Sequence, residues 1–194
     1  MTIEQTSGSQ HIKMFSAFKE ALIKLHREDR ELLSKKKKRA GVSHRLALYL
    51  ERLLPFALYI DLGYEVKLKN GEIYPDILIH GRRGDISMAV FWQDGYLSKS
   101  EQEEIKKFTE ETGCALTLAF SLLPEKEYFL IYRFEDNYIQ YLHVDKETGA
   151  DMFLKQCEEG TEVEKEPQPT LFKLSGTRKR KKKATSSPEP VTDQ

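Results

Sequence analysis

Five consecutive apolar residues, Met88-Ala89-Val90-Phe91-Trp92, constrain this chain more than any other feature. A half-buried strand alternates apolar and polar residues, and this run has no polar face. A strand apolar on both faces needs cover on both sides, which is the arrangement of layered α/β proteins. The run lies within residues 86–93, which read as one strand.

The neighbouring sequence supplies candidates for the cover. Ile12, Phe15, Phe18, Leu22, Leu25, Leu32 and Leu33 recur at helical spacing over residues 12–33, with charged residues opposite. A second helix is predicted with Ser43 as N-cap, an apolar stripe of Leu46, Leu50, Leu53 and Leu54, and Pro55 as its stop. A third is predicted from Ser98 or Ser100 to Thr112, with Ile105 and Phe108 facing inward and Gly113 as the C′ residue.

Between and after the helices the pattern is that of strands. Residues 59–68 read as strand one. Asn70-Gly71 marks a tight hairpin. Residues 73–80 read as strand two, with Pro75 tolerable near its start. After a turn at residues 81–84 comes the apolar strand. Residues 114–122, 128–135 and 138–144 read as three more strands, with Asp136-Asn137 and residues 145–149 as turns. Residues 138–144 would leave a long edge compatible with a homodimer.

Formal charge is balanced, with 31 bases and 31 acids in 194 residues, but it is unevenly placed. Residues 171–194 hold seven bases and two acids, which leaves the preceding 170 residues with 24 bases and 29 acids. Residues 158–170 are acidic and Pro-containing, and too polar to order themselves by burial. The organisation read from this is an N-terminal amphipathic helix (1–34), a core (35–157), and an acidic linker with a disordered basic tail (158–194). Cys114 and Cys157 give neither a disulfide framework nor metal spacing. No apolar stretch is long enough to span a bilayer, and the first residues lack a signal-peptide layout. The expectation is a cytoplasmic protein with no membrane association.

One constellation carries chemistry. Ser43-His44-Arg45-Leu46-Ala47-Leu48-Tyr49-Leu50-Glu51 and, downstream, Pro75-Asp76-Ile77-Leu78-Ile79-His80 stand in the order helix, strand, strand. This resembles the PD-(D/E)XK, or restriction-endonuclease-like, superfamily, in particular its small uncharacterised bacterial members, over roughly residues 36–135. The resemblance implies an α/β fold with an αβββαβ core, a mixed sheet flanked by helices. It also implies a site where Asp of Pro-Asp and Glu of Glu-x-Lys hold Mg²⁺ or Mn²⁺, which polarises a phosphodiester and lowers the pKa of the attacking water.

Carried over residue by residue, Asp76 matches the motif aspartate. The Glu-x-Lys position falls on Phe91-Trp92-Gln93, so Gln93 is the residual polar group. The acid expected on the first helix falls near Arg39 or Ala40. Asp61 matches the first-strand acid, but Gly63 stands where a Glu is expected. One or two weak metal ligands, Asp76 and Asp61, do not make a strong divalent site. The expectation is therefore a catalytically degenerate nuclease fold with no cofactor, acting as a nucleic-acid-associated binding or accessory protein. The alternatives are an active Mg- or Mn-dependent nuclease with a rearranged site, drawing an acid from Glu65 or Asp61, and a protein-interaction module.

Three basic clusters are candidates for nucleic acid or another polyanion. They are Lys35, Lys36, Lys37, Lys38 and Arg39; Arg82 and Arg83; and Arg178, Lys179, Arg180, Lys181, Lys182 and Lys183. Phe91 and Trp92 read as core rather than base-stacking rings, His80 as structural, and His44 as a solvated helix residue.

Overall fold

The computed structural model describes residues 3–54, 58–81, 85–135 and 138–158. Within them a seven-stranded mixed sheet lies between helices. Helix α1 (Ile3–Glu28) is followed by one turn, α2 (Arg30–Leu33), and by α3 (Arg39–Leu53). Then come β1 (Tyr59–Leu62), a hairpin of β2 (Val66–Leu68) and β3 (Gly71–Ile73), β4 (Ile77–His80) and β5 (Ile86–Asp94). Helix α4 (Lys99–Thr112) leads to β6 (Thr117–Leu122), β7 (Tyr128–Phe134), β8 (Tyr138–Asp145) and β9 (Asp151–Glu158). The main sheet runs β1-β4-β5-β6-β7-β8-β9. Only β5 and β6 are parallel, joined by α4 as the crossover; every other neighbouring pair is antiparallel.

The apolar run does what its pattern requires. Met88, Val90 and Trp92 point to one face with Ile77, Ile79, Leu118 and Phe120, where α1 and α3 bring Phe18, Leu22, Leu46 and Leu50. Ala89 and Phe91 point to the other face, against Ile105 and Phe108 of α4 and Ile73 of the small hairpin. Each large side chain so buried contributes about 1.5–3 kcal/mol. Phe91 meets Phe108 edge-on at 5.4 Å between centroids, and Trp92 stacks on Phe120 at 5.9 Å. Both rings are core.

Helix α4 starts and stops where its sequence indicates. Ser98 accepts from the Glu101 N–H while the Glu101 carboxylate accepts from the Ser98 N–H, a capping box. Gly113 ends it in the left-handed conformation. The Lys69-Asn70 turn joins β2 to β3, with Leu68 opposite Gly71.

Four expectations need correction. The predicted first strand is broken at Gly63 (φ +57°), so β1 and β2 belong to different sheets. The predicted second strand is divided at Tyr74-Pro75-Asp76, because Pro75 has no N–H for a ladder. Helix α3 begins at Arg39, so Ser43 is an interior residue and not its N-cap. Finally, β9 was not anticipated. It pairs with the whole of β8, so residues 138–144 are not an edge and offer no free ladder for a dimer. The edge is β9, with Met152 and Phe153 exposed. The turn at residues 136–137 lies outside the described residues. Among the described residues no helix is long and apolar enough to cross a membrane.

Two of the glycines with positive φ, Gly113 and Gly149, differ in their surroundings. A Cβ on Gly113 (φ +62°) would meet nothing, whereas one on Gly149 (φ +72°) would run into Cδ1 of Ile23 on α1. Gly113→Ala is expected to cost about 1–2 kcal/mol from backbone strain alone. Gly149→Ala is expected to cost up to about 1 kcal/mol more, because the Ile23 side chain must turn aside. Urea unfolding of the two variants measures the difference, and equal costs would show that the β8–β9 turn does not press on α1.

Candidate functional site

Asp76 ends the break that Pro75 makes before β4, opposite Phe91 of β5 by extension of their register. Its carboxylate therefore enters beside the chain of β5, under the first turns of α3. The backbone N–H of Trp92 donates to Oδ2 at 3.0 Å, and the Ser43 hydroxyl approaches Oδ1 at 3.4 Å. The Trp92 indole N–H donates to Ser43 Oγ at 3.0 Å. The role of Ser43 is thus to link the indole to the carboxylate.

The dominant partner is Arg39. Its Nε donates to Oδ1 at 2.8 Å and its Nη2 to Oδ2 at 2.7 Å, a bidentate fork. The guanidinium also lies 5.4 Å from the centre of the Trp92 ring, within cation–π range. Arg39 Nη1 reaches Gln93 Oε1 at 3.5 Å, and Gln93 Nε2 donates to Glu101 Oε1 at 3.1 Å. A chain of contacts runs from the buried carboxylate through Arg39 and Gln93 to the start of α4.

Burial sets the electrostatics. The Asp76 side chain is 6% exposed, while that of Arg39 is 59% exposed. Burial raises the Asp76 carboxyl above its ordinary value; Arg39 opposes this most, then the Trp92 N–H and Ser43, without cancelling it. Glu101 moves the other way, lowered chiefly by hydrogen bonds from Ser98.

The structure brings Asp76 and Gln93 together, with Arg39 between them. It does not bring Asp61 to them. Asp61 Oδ2 is 2.8 Å from His80 Nε2, and His80 Nδ1 lies 3.1 Å from the Gly81 carbonyl oxygen. With both ring nitrogens facing acceptors, the charged imidazole is favoured, and the pKa of His80 is raised mainly by Asp61. Glu65 accepts from the Tyr74 hydroxyl at 3.3 Å. His44 is exposed.

The basic run divides. Lys35, Lys36 and Lys37 are exposed. Lys38 is buried and donates to the Leu33 carbonyl at 2.8 Å, with its ammonium 3.0 Å from Asp94 Oδ1. Lys38 and Arg39 are thus occupied by acids of the protein itself. Arg82 and Arg83, and Arg178 to Lys183, lie outside the described residues.

A divalent ion does not fit this donor set. Both oxygens of Asp76 already accept short bonds from a cation, and the other polar groups around the pair, the Trp92 N–H, the Ser43 hydroxyl and the Gln93 amide, carry no negative charge. Among the described residues no three His, Cys, Asp or Glu side chains are grouped to hold a metal. Beside the pair lies a cleft of about 270 Å³, lined by Tyr74, Trp92, Gln93, Glu72, Glu101 and Glu104 among others. Among the described residues its charged lining is one engaged arginine and three carboxylates.

The sequence marked Asp76 and Gln93 but not the part that Arg39 plays. The available signal was the position itself: a guanidinium stands where the resemblance expects an acid. Glu101 carried a signal as well, since Ser98-x-x-Glu101 is a capping-box spacing, but that spacing does not reveal its bond to Gln93.

Arg39→Ala removes the strongest influence holding the Asp76 carboxyl down, so its pKa is expected to rise further. A carboxyl raised by folding stabilises the fold when protonated, and that contribution is lost as pH rises through the folded value. The variant should be less stable at neutral pH by about 1–3 kcal/mol. This is below the cost of breaking a fully buried pair, because Arg39 is more than half in solvent. The deficit should shrink as the medium is acidified. Urea unfolding at neutral and acid pH tests both points, and a deficit independent of pH would separate Arg39 from the ionisation of Asp76.

Comparison of the chain with protein-family models, with curated proteins and with solved structures gives no match.

Proposed function

We propose that this chain is a restriction-endonuclease-like protein whose metal centre has been replaced by an internal ion pair, and that it acts as a non-hydrolytic, nucleic-acid-associated binding protein. The observation that carries the reading is the fork of Arg39 on Asp76. A PD-(D/E)XK site needs that carboxylate for its cation. Here a guanidinium takes the same oxygens and neutralises the same charge. It cannot polarise a phosphate as a Lewis acid or acidify a bound water as a metal does.

The order of elements supports the reading. Helix α3, strands β1, β4 and β5, crossover helix α4 and strand β6 follow the αβββαβ sequence, with β5 and β6 parallel. The hairpin β2–β3 is an insertion between the first two strands of that core.

Charge placement separates binding from the old centre. The cleft beside Asp76 presents Glu72, Glu101 and Glu104, which repel phosphate. Lys35, Lys36 and Lys37 are exposed just before α3. Nucleic acid is therefore engaged by those lysines, together with the basic residues 178–183, and not in the cleft. Such contacts are sequence-independent and act by counterion release.

Two measurements on the full chain test this. Incubation with double- and single-stranded DNA and with RNA in Mn²⁺ is expected to give no cleavage; cleavage lost in Asp76→Ala would overturn the reading. In a DNA-binding titration across salt concentrations, changing Lys35, Lys36 and Lys37 together to Gln should flatten the slope of log K against log salt by about 2–3. A slope unchanged by the triple substitution would remove these lysines from the interface.

A further inference from the structure

A second cavity lies on the other side of α3's first residue and shares no lining residue with the Asp76 cleft. Its volume is about 190 Å³. The chain between α1 and α3 forms one wall, and the turn from β6 to β7 forms the other. Leu33, Leu122, Leu123 and Phe129 make it apolar, while its ionisable lining is wholly basic: His26, Arg30, Lys38 and Lys146. Among the described residues no carboxylate lines it.

Lys146 is the unusual member. It sits in the turn between β8 and β9 and is only 7% exposed. Its ammonium lies 5.6 Å from the centre of the Phe129 ring. It donates to the Leu123 carbonyl at 2.8 Å and to the Lys126 carbonyl. An ammonium has three hydrogens, and among the described residues the third has no acceptor. No described carboxylate forms an ion pair with it; Glu127 and Glu125 act only from farther away, and burial pushes its pKa down. A buried ammonium held by two neutral carbonyls is costly to the fold, since buried charges are ordinarily paired.

The other basic residues are differently placed. Lys38 is occupied by Asp94 and the Leu33 carbonyl. His26 lies 3.7 Å from Glu147 and edge-on to Phe129. Arg30 is exposed at the rim and, among the described residues, makes no side-chain hydrogen bond or ion pair. Two cations with unfilled donors thus border one apolar space, Lys146 in its buried wall and Arg30 at its mouth. The cavity stands past the carboxyl end of β6, one of the two parallel strands, the end at which open α/β sheets hold ligands.

We propose that this cavity is a binding site for a small organic anion, a carboxylate or phosphate carried on an apolar body about the size of one aromatic ring. The head would complete the donors of Lys146 and Arg30, and the body would lie against Leu33, Leu122 and Phe129. The size argument is direct, because a cavity of about 150 Å³ already accommodates benzene.

The test uses the full chain and four probes in calorimetric or NMR titrations: benzoate, phenyl phosphate, benzamide and inorganic phosphate. Saturable binding of benzoate or phenyl phosphate is expected, and the preference between them identifies the head group. Benzamide, which lacks the charge, and inorganic phosphate, which lacks the body, should each bind at least about tenfold more weakly. Arg30→Gln, at an exposed position, should weaken the preferred anion about three- to tenfold without disturbing the fold, and Lys146→Met should abolish its binding. Failure of both organic anions to bind at millimolar concentration would overturn the proposal. Equal binding of benzamide, or affinity indifferent to Arg30→Gln, would do the same.

Discussion

A carboxylate that is almost wholly out of water must be given charge and hydrogen bonds by the protein around it. Asp76 is that carboxylate, and the arrangement of the α3 side of the sheet follows from how it is satisfied. Its partners come from two elements: Arg39 and Ser43 from α3, and the backbone of Trp92 from β5. The helix, the Pro75 break and the central strand therefore meet at one group. The same contacts hold the Trp92 ring, which is bonded through Ser43, faced by Arg39 and stacked on Phe120. Arginine suits the position better than lysine would. Its planar fork meets both carboxylate oxygens at once and keeps a face for the indole. It also stays charged at any working pH, so it neutralises the carboxylate without supplying acid–base chemistry.

The elements that could be read from sequence are those whose signal is local. The run from Met88 to Trp92 announced a strand covered on both faces, and a cap at Ser98 or Ser100 with Gly113 as the C′ residue marked both ends of α4, the structure choosing Ser98. The Asn70-Gly71 pair marked its hairpin. Two of the misread elements depend on partners distant in the chain. Ser43 has the chemistry of an N-cap, and only the arrival of Asp76 and Trp92, 33 and 49 residues away, makes it an interior bridge. Strand β9 has three apolar residues at 152–154 followed by polar ones, a pattern too short to declare a strand. Its ladder comes from β8, whose edge it completes. The site followed the same division. Asp76 and Gln93 were marked by a motif with short spacing, whereas Arg39 gains its meaning only by reaching across to Asp76.

The start of α3 shows how two adjacent cations replace the usual helix signals. Lys38 occupies the N-cap position without capping anything, and the first turn holds no acid. Both features oppose a helix beginning there, since cations are unfavourable at a helix N-terminus. The opposition is removed by acids from other elements. Asp94, the last residue of β5, takes Lys38 at 3.0 Å, and Asp76, just before β4, takes Arg39. The helix is pinned to two strand ends by consecutive residues whose side chains diverge, one towards each cavity. The N-cap that sequence propensity places at Ser43 moves back by five residues, to Lys38, because tertiary charge pairing outweighs local preference.

That divergence also separates the chemistry of the two cavities. On the Arg39 side the cation is used up and the other charged lining is acidic, which repels phosphate, and among the described residues no three carboxylates are grouped to hold a divalent ion. On the Lys38 side the same kind of pairing leaves Lys38 neutralised by Asp94, while among the described residues Lys146 has no ion-pair partner. A turn of Asp145-Lys146-Glu147-Thr148-Gly149 does not require a buried ammonium. Asp145 makes the turn by accepting from the backbone N–H groups of Glu147 and Thr148 and from the Thr148 hydroxyl, and Gly149 supplies the left-handed residue. An arrangement in which Lys146 extended into water would leave these bonds intact. Its inward placement is therefore set not by its own turn but by what it meets there, the Leu123 and Lys126 carbonyls of the β6–β7 turn and the face of Phe129.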